Sequence, residues 1–319
     1  MTIPIGITAR NEAKNILTLL ASLREAITVA SKELGCVYEL HVLLNDNTDN
    51  TADLLAGWTD LVVHHTSGGI VEAQRTLVAQ SASRAPFLVF SDADIRVDPA
   101  ALIDISRVML TCSEVEVAYA EKYPIQPRRR SALARALYTY NLREGFQTTR
   151  HYFNGQFFAI RHWRIPKPEQ LRWDPAVDTP FLNLAAGIRV DDIYLSREVL
   201  SRLGPRAIRC VPAGIYYRPP ETLRGMFHKY QRMRLEIERL NRYFPRTKAA
   251  HRRWGQRRVD WHLFSKAPFD DKLRYAHFQA ALVLCKIAYH AQKFWFTYLS
   301  SRPCPTWFPV VETKESSDT

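Results

Sequence analysis

Short apolar runs and longer amphipathic segments alternate along the first hundred residues. The apolar runs predict strands at residues 2–8, 37–44, 60–65 and 86–90. The segments between them, such as residues 12–34, repeat apolar side chains at helical spacing. This series predicts an α/β fold with a mainly parallel central sheet flanked by helices. The uninterrupted apolar run at 86–90 is typical of a strand that is buried on both faces.

The pattern changes after residue 120. Residues 121–146 predict a basic loop that enters a helix, and residues 154–163 predict a turn followed by a strand. Residues 164–180 are rich in proline, which predicts irregular structure. A helix is predicted from Pro220 to about residue 240, because apolar side chains return to helical spacing there. Beyond residue 244 the chain is basic and then amphipathic, and its end predicts a frayed tail.

The composition is that of a globular protein, with 46% hydrophobic and 24% charged residues in a chain of 319. The first strand pattern begins at residue 2, so no secretory leader is predicted. The five cysteines are scattered without C-x-x-C spacing, which favours reduced thiols in a cytoplasmic protein over a zinc site. The longest apolar stretch, residues 276–301, is interrupted by Lys286, His290 and Lys293. It is too polar to span a membrane, but contact with a membrane surface stays open.

Charge is distributed unevenly along the chain. Residues 1–120 hold 8 Lys+Arg and 15 Asp+Glu, a net charge of −7. Residues 121–319 hold 36 and 17, a net charge of +19. The second half is therefore expected to meet an anion, which could be nucleic acid, anionic lipid or a phosphorylated substrate.

Two aspartates, Asp92 and Asp94, follow directly after the buried strand predicted at 86–90. Residues two apart on an extended segment point the same way, so both carboxylates can face one ion. Oxygen ligands select hard cations such as Mg²⁺ or Mn²⁺, which take further ligands from water and substrate phosphates. The alternative is a solvated acidic turn. Ligands of open α/β sheets bind beyond the carboxyl ends of the strands, and this position favours the metal site.

Two further polar clusters follow strands, at residues 9–15 and 45–51. Taken singly, each predicts a helix start: Asn11 is a candidate cap for the first long helix, and Asp49 or Thr51 for the next. Taken together with the two aspartates, they predict a pocket along one rim of the sheet.

Six segments of the chain resemble, in order, the family-two glycosyltransferases of the GT-A (Rossmann-like) fold. They are IGITARNEAKNI, VLLNDNTDNTADLLA, EAQRTLVAQSASRAPFLVFSDAD, NGQFFAIRHW, VDDIYLSREVLSRLG and YQRMRL. The likeness covers roughly residues 1–240 and implies an inverting, metal-dependent transfer of a sugar from a nucleotide-sugar donor to a hydroxyl acceptor. It implies a GT-A domain at 1–245, with a nucleotide-binding half at 1–100 and an acceptor half at 101–245. Residues 246–319 would form a basic, amphipathic helical extension.

The resemblance also implies roles for residues of the nucleotide-binding half. Thr8, Arg10 and Glu12 would cradle the base and ribose. Asn45 stands where the family often has an aspartate that helps to hold the base, and an amide offers a donor as well as acceptors. Arg75 matches an arginine usually found near the diphosphate.

The acidic residues match the family's two acidic motifs. Asp92 and Asp94 match its metal-binding motif, with Asp94 as the direct ligand. Asp191 and Asp192 match an acidic pair that opens a helix near the acceptor, and the second of them, Asp192, would act as the base. The alternative is that this pair only favours the helix N-terminus electrostatically.

The segment YQRMRL matches the family's Q-x-x-R-W motif, with Leu235 in place of tryptophan. Gln231, Arg232 and Arg234 would then contact the diphosphate or the acceptor. Helical spacing puts Arg234 on or beside the apolar face of its helix. A guanidinium buried there needs an anionic partner such as a diphosphate. The alternative is that Arg234 lies at the border of that face and its side chain reaches water. The missing tryptophan and the absence of predicted membrane spans argue against processive polymer synthesis.

Alternative functions remain open at this level. A haloacid-dehalogenase-like phosphatase also has a D-x-D motif, but on its first strand and followed by Thr or Val, where this chain has Arg96. A sugar nucleotidyltransferase needs a glycine-rich loop after the first strand, which this chain lacks. A non-catalytic basic protein that binds nucleic acid or a membrane is the third hypothesis, suggested by residues 251–266.

For the glycosyltransferase, the expected acceptor is a saccharide or a lipid-linked saccharide, as in polysaccharide biosynthesis. Peripheral contact with the inner face of an anionic membrane is a further expectation, and nucleic acid is not an expected partner.

Overall fold

The structure is a computed structural model that describes residues 1–81, 83–147, 151–255 and 258–305. Within these residues, eight strands form one sheet: β1 (Thr2–Ala9), β2 (Val37–Asn45), β3 (Leu61–Thr66), β4 (Leu88–Asp92), β5 (Ile95–Val97), β6 (Val117–Pro124), β7 (Phe157–Ile160) and β8 (Ile208–Tyr217). The α-helices are α1 (Ile16–Leu34), α2 (Thr51–Leu55), α3 (Ile70–Ser81), α4 (Pro99–Thr111), α5 (Ala132–Leu142), α6 (Asp191–Arg202), α7 (Leu223–Tyr243), α8 (Lys248–Ala250), α9 (Trp261–Lys266) and α10 (Phe269–Phe294).

The strand order in the sheet is β3-β2-β1-β4-β7-β6-β8-β5. The first four strands in this order run parallel to one another, with β1 between β2 and β4. β6 also pairs in parallel with β8. β7 is antiparallel to both of its neighbours, and β5 is antiparallel to β8. The predicted α/β fold with a mainly parallel, helix-flanked sheet and a helical C-terminal extension is thereby confirmed.

Helices cover both faces of the sheet, so its central strands are buried on both sides. Ile3, Ile5 and Ile7 of β1 pack in the core shared with α1 and α4, while Phe90 of β4 belongs to the core on the opposite face. A Cβ atom on Gly6 would lie 2.5 Å from Leu77 Cδ2, so the absence of a side chain there lets α3 pack close to β1. The continuous apolar runs of the first hundred residues are explained by this double coverage.

The second half contains elements that the sequence pattern did not reveal. Residues 121–124, predicted as part of a basic loop, are instead the end of strand β6, which pairs with β8. The proline-rich segment 164–180 is irregular as predicted, apart from short 3₁₀ turns at Pro168–Gln170 and Pro175–Val177. The helix predicted from Pro220 is α7, which begins at Leu223 because Thr222 accepts a hydrogen bond from the Gly225 amide.

The C-terminal extension packs against the rest of the chain through α10. Phe278, Ala281 and Cys285 of α10 form a small core with Leu137 of α5 and Met226 of α7. In the parts of the chain that the structure describes, no helix is long and apolar enough to cross a membrane. All five cysteines are described, and no two of them form a disulfide. The division of the chain at residue 245 stays a prediction.

Candidate active site

A cleft of about 780 Å³ opens at the carboxyl ends of β1, β2 and β4. The sequence-predicted residues that line it are Thr8, Arg10, Glu12, Asn45, Asp92, Asp94, Asp191, Asp192 and Arg232. Nine of the twelve candidate site residues therefore share one cavity. The position follows from the topology, because parallel strands end at the same edge of a sheet.

Strand pairing fixes the first aspartate of the D-x-D motif in this cleft. Asp92 lies opposite Thr8 in the register of β1 and β4. On its other side, the Asp92 amide donates to the carbonyl of Gln156, 2.8 Å away, just before β7 begins. The backbone of Asp92 is thus held on two sides, which limits how far its carboxylate can move. Asp94 lies two residues beyond the end of β4, and both aspartates line the cavity.

The two polar loops that follow β1 and β2 are bonded to each other. Asn11 adopts a left-handed conformation (φ 56°), its Nδ2 donates to Thr48 Oγ1 at 3.1 Å, and its Oδ1 accepts from the Thr48 amide at 2.8 Å. The Asp49 carboxylate accepts from the amides of Ala13 and Thr51. The prediction that both clusters share one rim is confirmed. The prediction that Asn11 caps the first helix is wrong, since α1 begins after Asn15 and Asn11 is engaged in the neighbouring loop.

Asn45 is buried at the end of β2 and holds the loop before α3. Its Oδ1 accepts from the Gly69 amide at 3.0 Å, and Asp46 accepts from the Gly68 amide at 3.3 Å. Gly68 and Gly69 both have positive φ angles (92° and 98°), a conformation that side chains disfavour. At this position, therefore, the side-chain oxygen of Asn45 orders the wall of the cleft.

The acidic pair at the start of α6 has two different environments. Asp191 is 5% exposed, and its Oδ2 accepts a 2.6 Å hydrogen bond from Gln74 Nε2. Trp163 Nε1 in turn donates to Gln74 Oε1 at 2.9 Å, so the amide of Gln74 is fixed in one orientation. Asp192 is half-buried and lies against Gly155, where a Cβ atom would come within 2.8 Å of Asp192 Cβ. Asp191 is thus held inside the protein, while Asp192 is the more accessible of the two.

Burial, together with neighbouring carboxylates, raises the pKa of two groups in the cleft. Burial raises the pKa of Asp92 well above its usual value, and the charges of Asp94, Asp191 and Asp192 raise it further, while Arg232 opposes them. Burial and the neighbouring Asp192 raise the pKa of Asp191 to about 7. Four acidic side chains near each other repel in their ionised forms, and a cation between them would relieve that repulsion.

The residues at this edge fit a hard divalent cation. Carboxylate oxygens are the ligands that Mg²⁺ and Mn²⁺ prefer. Among the described residues, no group of three or more His, Cys, Asp or Glu side chains is arranged to hold a metal ion. A cation held by Asp92 and Asp94 would therefore need further ligands from a substrate or from water, as Mg²⁺ commonly does.

Three of the predicted site residues lie outside this cleft. Arg75 lines a neighbouring cavity of about 390 Å³, pairs with Glu72 (Nε–Oε2 3.0 Å) and donates to the Ile165 carbonyl at 2.9 Å. Gln231 is fully buried, and its Nε2 donates to Gln292 Oε1 of α10.

Arg234 is exposed and lies on the side of α7 that faces α10, near Tyr230 and Tyr289. The expectation of a buried Arg234 guanidinium is wrong, and the alternative of a side chain that reaches water fits its position. The arginine of this segment that lines the cleft is Arg232.

Several residues of the site were not singled out from the sequence. Gly155, Lys229 and Arg189 line the cleft, and Gln74 bonds to Asp191. A signal existed for Gly155 and Lys229: glycine directly before a strand often marks a close approach, and Lys229 lies three residues before Arg232 on one helix face. Gln74 gave no signal, because its partner Asp191 is 117 residues further along the chain.

The mainly parallel, helix-flanked sheet is the fold of a GT-A glycosyltransferase. A family model described as Glycosyl transferase family 2 matches residues 5–167, just over half of the chain. The chain belongs to this family, and the resemblance found in its motifs is confirmed. The protein is therefore a glycosyltransferase rather than a phosphatase or a non-catalytic binding protein. Comparison with curated proteins gave no match.

The chain is also similar to solved structures of glucosyl-3-phosphoglycerate synthase from Mycobacterium tuberculosis. One of them is 23% identical, with a TM-score of 0.47, over 76% of this chain and 80% of that chain. A complex of that enzyme with Mn²⁺, UDP and glucosyl-3-phosphoglycerate is 22% identical, with a TM-score of 0.46 and the same coverage. A complex with Mg²⁺ and UDP is 20% identical, with a TM-score of 0.45, over 76% of this chain and 79% of that chain.

Proposed function

We propose that the protein transfers a sugar from a nucleoside diphosphate sugar to a hydroxyl acceptor, with inversion at the anomeric carbon and with Mg²⁺ or Mn²⁺ as cofactor. The observation that carries the proposal is the meeting of two acidic pairs in one cleft, one at the end of β4 and one at the start of α6. A reaction that needs both a charge-stabilised leaving group and a base has a use for both pairs.

The donor would bind along the rim formed by β1, β2 and the loops that follow them. Thr8, Arg10, Glu12 and Asn45 line this part of the cleft and offer both hydrogen-bond donors and acceptors to a base and ribose. Asp94, with Asp92 beside it, would hold the divalent cation. When bound, that cation stabilises the negative charge that develops on the diphosphate as it leaves. Arg232 adds a fixed positive charge on the same side of the cleft.

Asp192 would act as the base. In the proposed step the acceptor oxygen forms a bond to the anomeric carbon while the bond from that carbon to the diphosphate oxygen breaks. The acceptor proton passes to the Asp192 carboxylate, and the electron pair of the broken bond leaves with the diphosphate. Attack from the face opposite the leaving group inverts the anomeric carbon in one displacement.

Asp191 is less suited to this role, since it is buried and engaged by Gln74. We assign it to fixing the start of α6 and so the position of its neighbour.

The acceptor is a saccharide or a lipid-linked saccharide in this proposal, as in the assembly of a polysaccharide. The acceptor side of the cleft is bounded by β6, β8 and α7, where Lys122, Arg218 and Lys229 lie with Tyr217. Cationic and aromatic side chains together suit a sugar that carries a phosphate. A cytoplasmic location, partly at the inner face of the membrane, is part of the proposal.

A thermal-shift screen of nucleoside diphosphate sugars with and without Mn²⁺ tests the function directly. Binding to the native state raises the apparent melting temperature by mass action, so a true donor should raise it only when Mn²⁺ is present. Asp94→Asn should lose the Mn²⁺-dependent part of the shift while its melting temperature without ligand stays close to that of the wild type. A chain that no nucleotide sugar stabilises, in either condition, would contradict the proposal.

A further inference from the structure

An exposed apolar surface lies on the outward side of α10. Six large side chains of α10 and the turn after it are each 54–72% exposed: Leu273, Leu284, Ile287, Phe294, Trp295 and Tyr298. Apart from the adjacent Phe294 and Trp295, they recur at intervals of three, four, seven or eleven residues, which puts them along one side of the helix. From Leu273 to Trp295 this surface, called here the outward face of α10, runs for about 33 Å at the helical rise of 1.5 Å per residue.

The opposite side of α10 is fully used in packing. Phe278, Ala281, Cys285 and Tyr289 are buried against α5, α7 and the segment around Phe181. The helix is therefore anchored to the domain by one apolar side, and it presents a second apolar side outward. Contiguous exposed apolar surface of this kind marks an interaction site rather than an ordinary surface.

The charge of the C-terminal extension favours an anionic partner. Residues 246–305 hold 12 Lys+Arg against 3 Asp+Glu, a net charge of +9. Of the three acids, Asp271 is buried and pairs with Arg143, and Asp260 caps α9. Exposed cations of the extension include Arg252, Lys266 and Lys286.

A second copy of the chain is a poor partner for this face. In a two-fold contact the same surface of each copy would meet, so cations would face cations. An anionic bilayer supplies the opposite charge together with an apolar interior. The aromatic residues at the end of the face, Trp295 and Tyr298, are of the types enriched at membrane interfaces.

We propose that the outward face of α10 docks the enzyme on an anionic lipid bilayer. The helix lies in the interface with its exposed apolar side chains among the acyl chains, and exposed cations of the extension contact lipid phosphates. Because α7 contacts α10 through Met226 and lines the active-site cleft through Lys229 and Arg232, the docking surface and the acceptor side of the cleft share one helix. Docking is independent of sugar transfer, so each can be tested without the other.

Vesicle co-sedimentation tests the docking surface. The full chain is mixed with vesicles of phosphatidylcholine alone, or with vesicles in which about a third of the lipid is phosphatidylglycerol, so that the surface is anionic. The wild type should bind the anionic vesicles, and rising salt should weaken binding, since salt screens the cations. Leu284→Asp/Ile287→Asp should bind roughly tenfold more weakly or less, because two apolar anchors are lost.

The matched control is Leu17→Asp/Val29→Asp on α1, which replaces two side chains that are 41% and 40% exposed. This control lowers the net charge by the same amount but leaves the outward face of α10 unchanged. It should therefore keep wild-type vesicle binding. Melting temperatures of both double variants check that the fold is intact.

The proposal would be overturned if the wild type did not bind anionic vesicles, or if both double variants lost binding equally. It would also be overturned if the wild type were a dimer that Leu284→Asp/Ile287→Asp converts to a monomer without any change in vesicle binding. Donor-dependent thermal shifts, measured on the same variants, report on the sugar-transfer site separately.

Discussion

Gly155 and Asp192 are in direct contact, and a Cβ atom on Gly155 would come within 2.8 Å of Asp192 Cβ and 3.2 Å of its Cγ. The backbone that precedes β7 is thus pressed against the side chain proposed as the base. The same short segment accepts the amide of Asp92 through the carbonyl of Gln156. Two adjacent residues, Gly155 and Gln156, therefore contact a member of each acidic pair.

Gly155→Ala should lower the transfer rate by roughly tenfold to a hundredfold, because the new methyl group must displace Asp192 and small misplacements of a catalytic group are costly. Donor affinity should change little. Steady-state release of nucleoside diphosphate gives the rate, and calorimetric titration gives the affinity. Gly57→Ala is the control, since a Cβ atom there meets nothing within 4 Å. A variant with the wild-type rate would show that Asp192 does not need its present position.

Asp192→Asn should keep donor binding and reduce transfer by about 10²- to 10⁴-fold, the range of a lost general base. The amide keeps the size of the side chain but cannot take up the acceptor proton. The measurement is turnover at saturating donor, with calorimetric titration of the donor as the check on the site. Turnover retained in Asp192→Asn and lost in Asp191→Asn would move the base to Asp191.

Arg232→Gln should weaken binding of the nucleoside diphosphate by roughly tenfold, as expected for the loss of a charge-assisted contact. Arg232 lines the cleft and acts electrostatically on Asp92. Arg234→Gln is the matched control on the same helix, because Arg234 is exposed and faces α10, and its affinity should stay within about twofold of the wild type. Calorimetric titration of both variants decides between the two arginines. The reverse order of effects would restore the assignment drawn from the Q-x-x-R-W resemblance.

Asp191→Asn should change how stability depends on pH. Burial and the neighbouring Asp192 raise the pKa of Asp191 to about 7 in the folded state, above its ordinary value of 3.8. Between these values the folded protein binds the proton more tightly than the unfolded chain, so the wild type loses stability as pH rises through this window.

Asparagine has no such proton, and it can still accept the hydrogen bond from Gln74. The stability of the variant relative to the wild type should therefore increase by roughly 3 kcal/mol as pH rises from 4 to 7, and it should level off about one pH unit higher. Urea unfolding of both proteins in EDTA, across this pH range, measures the difference. A difference that is independent of pH would contradict a raised pKa.

Much of the fold of the first hundred residues could be predicted because its signals are local. Strands buried on both faces read as apolar runs, and helices between them repeat at their own period, so the order of elements predicts the parallel sheet. Thr8, Asn45 and Asp92 could be assigned to one rim because each ends a parallel strand, and such ends meet at one edge.

The fold beyond residue 100 was harder to predict, because its strands pair across long separations in sequence. The pattern of residues 121–124 predicts a loop, but they are the end of β6, which pairs with β8 about 90 residues later. Helical spacing predicts that Arg234 lies on or beside the apolar face of α7. In the structure α10 packs against α7, which the spacing of α7 cannot reveal. Arg232, two residues before Arg234, lines the cleft instead.

The sequence alone determined the class of fold, the family and the acidic motifs, since each depends on residues that are close together in the chain. The tertiary structure decided which of those residues share a cavity, that Gln74 holds Asp191, that Gly155 contacts Asp192, and that α10 has a second apolar face. These relationships join residues that are tens to more than a hundred positions apart, and packing, not local spacing, sets which of them meet.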